Sequence, residues 1–197
     1  MNHLAHVFLS GPDADTRLGA MLGDFWRGEL DPAWRPGVRA GVSLHRKIDV
    51  YTDSHPLVLE AKALFESPWR RFAGILLDVY FDHVLAREWS RYADEPIETL
   101  SATTLAMLDA NVTWLPAGLV RFSYYMRTHG LFGRYADRDE IEQVLAGIGA
   151  RLRHANPLHE AGPALWKRAP TLDSVFTKFF PELQAFACNA RIRLSAR

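Results

Sequence analysis

Apolar positions recur along this chain at the three-to-four-residue spacing of helices, and the alternation that marks strands is nearly absent. No Asn-Gly or Asp-Gly pair offers a tight hairpin. Thr16 can cap a helix through Leu18, Met21, Leu22 and Phe25, ending near Gly28. Pro36 and Pro56 can each open another, the first carrying Val38, Val42, His45, Ile48 and Asp49. Ser67-Pro68 precedes a long helix from Trp69 to about Tyr92, and Pro96 one from Ile97 to about Trp114. Further helices are expected at 117–128, at 137–153 and from Thr171 onward, where Pro181 should split or kink the last. The pattern predicts an all-α fold: a single helical bundle of irregular topology, one domain over residues 1–197.

The stretch from Phe72 to Leu85 is apolar on every side, so its helix is expected to be central and buried. Yet it carries Asp78, Asp82 and His83. Asp78 and Asp82 are four apart and share a face, whereas His83 lies well round the helix from both. Two ionised carboxylates on one buried face need a cation, an arginine or a shared proton, and a divalent metal fits best because a second pair is available. That pair is His45 and Asp49, again four apart, in His45-Arg46-Lys47-Ile48-Asp49. Alone it reads more readily as a surface imidazole–carboxylate pair; with the aspartates it reads as part of a site suited to Mn, Fe or Zn. Arg46 and Lys47 point elsewhere and could hold phosphate oxygens. Asp24, flanked by aromatics, is a third contributor. His6 could reach the same site, with His3 on the same helical face.

Composition narrows the classes. Lys and Arg number 23 and Asp and Glu 23, which argues against a general nucleic-acid binder. The charge is uneven: from Arg151 onward there are eight basic and three acidic residues, so the last quarter is basic and the rest acidic. No apolar run approaches the ~20 residues that span a bilayer. The first residues lack a basic region followed by an apolar one, so no cleaved secretory signal is expected. The lone Cys188 excludes an intramolecular disulfide and a cysteine-rich zinc site, and cytoplasm is the expected compartment. There is no P-loop, no GxGxxG and no GxSxG elbow.

The blocks Met1-Asn2-His3-Leu4-Ala5-His6, Gly23-Asp24-Phe25 with Arg27-Gly28, His45-Arg46-Lys47-Ile48-Asp49 followed by Thr52-Asp53, and Asp78-x-x-x-Asp82-His83 resemble, in order and spacing, the acyl carrier protein phosphodiesterases. The resemblance covers almost the whole chain. It implies a divergent branch of the HD phosphohydrolases, although the usual adjacent His-Asp is here reversed as Asp82-His83. It also implies a substrate, holo-acyl carrier protein, whose 4′-phosphopantetheine arm joins a serine through a phosphodiester. The implied metal is manganese, with magnesium or iron as alternatives.

On this basis Asp24, His45, Asp49, Asp82 and His83 are expected to hold one or two divalent ions, with Asp78 as a ligand or just behind them. His6 is the candidate proton donor to the leaving serine oxygen, and Arg46 or Lys47 would neutralise the phosphoryl oxygens. Acidic carrier protein should dock on Arg27, Arg70, Arg71 and the basic last quarter. Two other readings stay open: an HD-type hydrolase of a nucleotide or other small phosphate ester, and a non-catalytic helical module that binds an acidic partner.

Overall fold

A computed structural model describes residues 1–195, and among them every regular element is helical. The α-helices are α1 (His3–Leu9), α2 (Ala14–Leu22), α3 (Pro36–Ser54), α4 (Pro56–Ala63), α5 (Ala73–Arg87), α6 (Ile97–Ala110), α7 (Ala117–His129), α8 (Leu131–Arg134), α9 (Arg138–Arg151), α10 (Gly162–Trp166) and α11 (Ala169–Ser195). The all-α expectation holds. No helix is long and apolar enough to cross a membrane among the described residues.

Several boundaries shift for local reasons. Asp13, not Thr16, caps α2: its Oδ1 accepts from the Thr16 amide and hydroxyl, at 2.8 and 2.7 Å. That helix stops at Leu22, so Asp24 sits in the following turn. The long helix expected over 69–92 shortens to α5, flanked by 3-10 turns at Arg70–Phe72 and Trp89–Arg91. Pro181 does not split α11. Phe176 and Phe179 before it, and Leu183 after it, are wholly buried, and that packing outweighs the missing amide hydrogen bond.

α5 is the central element, with Leu76, Leu77 and every residue from Val79 to Ala86 buried. α1 and α11 pack against it, α2 packs on α1, and α3 packs on α2 and α11. The sharpest constraint lies where α2 crosses α3. A Cβ on Gly19 would stand 2.1 Å from the Val38 carbonyl oxygen, and one on Gly41 2.1 Å from the Thr16 carbonyl oxygen. Both obstacles are backbone and cannot turn aside. This close crossing lets His45 of α3 reach the end of α2. Gly41→Ala is therefore expected to destabilise the protein by about 1–3 kcal/mol, the usual overpacking cost. Urea denaturation should show a lower midpoint at unchanged slope.

Candidate active site

Four side chains from three segments converge at the junction of α1, α2 and α3. His6 projects from α1, His45 and Asp49 from α3, and Asp24 from the turn after α2. His45 Nε2 lies 3.2 Å from Asp49 Oδ2 and 3.6 Å from Asp24 Oδ1. His6 Nε2 lies 3.0 Å from Asp49 Oδ1. The two imidazoles stack with centroids 3.7 Å apart. His6, His45 and Asp49 can each turn one ligand atom to a common point, these atoms lying within 4.8 Å of one another.

The frame orients each ring. His45 Nδ1 donates to the Ala20 carbonyl at 2.8 Å, which leaves Nε2 to face the carboxylates. Gly23 makes room for that ring: a Cβ there would lie 2.2 Å from His45 Cγ. His6 Nε2 also faces the Met1 carbonyl at 3.1 Å, and its Nδ1 is buried with no partner. Asp24 Oδ2 pairs with His3 Nδ1 at 2.9 Å. The Asp24 and Asp49 side chains are 41% and 40% exposed, so solvent can reach them.

The charges are strongly interdependent. Burial opposes ionisation of Asp24 and Asp49, but facing imidazoles outweigh it and hold both carboxyls well below their ordinary range: His3 and His45 for Asp24, His45 and His6 for Asp49. Burial likewise opposes charge on His45, yet Asp24 and Asp49 raise its pKa to about 9. His6 goes the other way. Burial, reinforced by His45, lowers its pKa to about 4, so its ring is neutral at pH 7. Two ionised carboxylates thus draw positive charge into the site, and without a metal a proton on His45 supplies it.

This has a testable sign. A raised His45 pKa contributes stability that is fully present below 6.5 and lost as pH rises through about 9. The Met1 ammonium, raised to about 10 because Asp78 and Asp49 outweigh its burial, acts in the same direction above pH 8. Chelator-treated protein should therefore melt at falling temperature as pH rises from 6.5 to about 9, and His45→Gln should flatten that slope.

Of the other expected ligands, Asp82 and His83 do not reach this cluster, and Asp78 stands just behind it, bridged to Asp49 by the Met1 ammonium. Asp82 is wholly buried, and its carboxylate accepts the Leu4 and Ala5 amides at 2.7 and 3.1 Å. It caps α1 from the neighbouring helix, because Asn2 donates instead to the Tyr135 hydroxyl at 3.2 Å. Asp78 shares the Asp82 face as expected, but it accepts from the Met1 ammonium at 2.8 Å. His83 points away: its Nδ1 donates to the Tyr135 carbonyl at 2.8 Å, and its ring rests on Trp166.

The two cations also have other engagements. Arg46 donates to the carbonyls of Gly28 and Trp26, at 2.9 and 3.4 Å, and so braces the loop that follows Asp24. Lys47 faces α11, beside Phe186 and Arg193. The sequence marks His3 only as a neighbour of His6 on one helical face. Its spacing to His6 was visible there, but its bond to Asp24 depends on where α2 ends.

A family model for acyl carrier protein phosphodiesterase matches residues 1–183, which contain every residue of this cluster. The chain belongs to the acyl carrier protein phosphodiesterase family. The relative of that name from Escherichia coli O139:H28 (strain E24377A / ETEC) is 34% identical over 190 residues, covering 96% of this chain and 98% of its own. The one from Escherichia coli strain K12 / DH10B is 34% identical over 188 residues, covering 95% and 97%. No solved structure matches the chain. In family terms, the matched span places the chain among hydrolases of a phosphodiester.

Proposed function

We propose that this chain removes 4′-phosphopantetheine from holo-acyl carrier protein by metal-dependent hydrolysis at the His6–His45–Asp49–Asp24 cluster. The observation that carries the reading is the convergence of two imidazoles on two ionised, solvent-reachable carboxylates, within a span matched to this family. The donor set suits a divalent cation. His45 is oriented through its far nitrogen, and His6 has a buried nitrogen with no partner. Mixed oxygen and imidazole donors suit a hard to borderline divalent cation, and family membership makes manganese the expected one, with magnesium or iron as alternatives.

His6, His45, Asp49 and Asp24 would hold the ion, which when bound polarises the phosphoryl group and makes water a stronger nucleophile near neutral pH. Asp82 and Asp78 serve the frame, fixing the start of α1 so that His6 is aimed correctly. A neutral His6 has no proton to spare, so the leaving serine oxygen takes one from solvent at the open side. Arg46 positions the loop that bears Asp24, and exposed Arg27 in that loop is a docking contact for the acidic carrier protein.

The test is direct. Purified protein is incubated with holo-carrier protein and with a nucleotide panel, with and without Mn²⁺. Carrier protein lighter by one 4′-phosphopantetheine, only with metal, is the expected result. Turnover of nucleotides alone, or of neither, contradicts the reading.

A further inference from the structure

Beside the cluster, between the start of α1, α7 and α9, lies a cavity of about 100 Å³. His3 belongs to both sites. Its Nδ1 holds Asp24 at 2.9 Å, while its ring packs 4.2 Å from Phe122 on the cavity wall. The inner lining sets apolar Leu131, Val144 and Ile148 beside Asn2 and Tyr135, which hydrogen-bond to each other, and the exposed Gln143, Gly147 and Arg151 form the outer rim. Those rim residues recur every four positions and form one exposed face of α9. Gly147 leaves the rim open: a Cβ there would meet nothing within 4 Å.

We propose that this cavity seats the part of the 4′-phosphopantetheine arm nearest the scissile phosphate. This deepens the reading above and rests on it. That part of the arm is a methylene, then a quaternary carbon with two methyl groups, then a hydroxyl and the first of two amides. A space of about 100 Å³ is somewhat smaller than the ~150 Å³ cavity that takes a benzene ring, a size for the branched dimethyl block and not for the whole arm. The apolar floor takes the methyl groups. The amides then run outward along the polar rim, past Gln143 and Gly147 towards Arg151. The phosphate at the other end falls beside Asp24, one imidazole away. With the arm seated there, the other ester oxygen is left to face the carrier protein.

Gly147→Leu tests this. Leucine is a better helix former than glycine, and its Cβ meets open space, so the variant should fold and bind metal as the wild type does. Calorimetry on the manganese-loaded proteins compares free 4′-phosphopantetheine with inorganic phosphate. Wild type should bind 4′-phosphopantetheine at least about tenfold tighter, the contribution of burying a few carbon atoms. Gly147→Leu should lose that preference while its phosphate affinity stays the same, and Gly147→Ala should keep most of it. KM for holo-carrier protein should rise at least tenfold in Gly147→Leu, in step with the lost preference. A wild type with no preference over phosphate, or a leucine variant that keeps it, overturns the cavity assignment even where holo-carrier protein is turned over. Failure of the wild type to turn over holo-carrier protein overturns the substrate reading itself.

Discussion

Replacing His45 with alanine is expected to abolish metal binding and hydrolysis together while the helices stay folded. His45 is the hub of the cluster: its Nε2 faces both Asp24 and Asp49, and its Nδ1 is fixed by Ala20. A bound cation supplies several kcal/mol of charge stabilisation in phosphoryl transfer, and each ~1.4 kcal/mol is a factor of ten. The loss in kcat/KM should therefore be about 10³-fold or more. Asp49→Asn should behave alike, since Asp49 touches both imidazoles. Metal titration followed by calorimetry reads binding, mass spectrometry of the carrier protein reads turnover, and far-UV circular dichroism reads the fold. In metal-free protein His45→Ala also removes the group that supplies positive charge between two carboxylates. A modest fall in stability at neutral pH should accompany the loss of activity, and it should be smaller at pH above about 9, where His45 is neutral in any case.

Asp82→Ala should show the opposite balance, with a stability loss first and an activity loss that follows from it. Its carboxylate is the acceptor for two buried amides at the start of α1, and alanine leaves both unmatched. Leaving a buried donor unsatisfied costs about 1–3 kcal/mol, so two donors amount to roughly 2–4 kcal/mol after some relaxation. The cost is held down because burial, opposed by those same amides, already raises the Asp82 pKa to about 7: the charge was not comfortable where it stood. Asp82→Asn keeps one acceptor and should recover about half the stability. Because His6 lies on the helix that Asp82 caps, the alanine variant should bind metal more weakly, and this defect should be partly relieved by saturating metal. The His45→Ala defect should not be. That contrast separates a residue that holds the site from one that holds the helix carrying it.

Residue patterns made some of this visible in advance. His45 and Asp49 were readable as a pair because four residues make one helical turn, and α3 is unambiguous from Pro36 onward. The centrality of α5 followed from apolar residues on all its faces. Asp78 and Asp82 do share a face as their spacing requires, but what meets that face was not legible. Their partners are the Met1 ammonium and the amides of Leu4 and Ala5, which belong to the backbone and leave no signature in side-chain chemistry. His83 misled for a similar reason, since its partner is the Tyr135 carbonyl 52 positions away. Asp24 depended on α2 ending at Leu22 rather than near Gly28, and the reach of His45 to that end depends on Gly19 and Gly41 letting two helices touch. The glycines carry the decisive information about the site, yet they contribute no chemistry of their own.

The most direct measurement is an anomalous diffraction map from crystals of the protein soaked in Mn²⁺. The account predicts a strong peak within bonding distance of His6, His45, Asp49 and Asp24, absent in His45→Ala crystals. A peak at Asp82 and His83 instead, or no peak in active crystals, would contradict it.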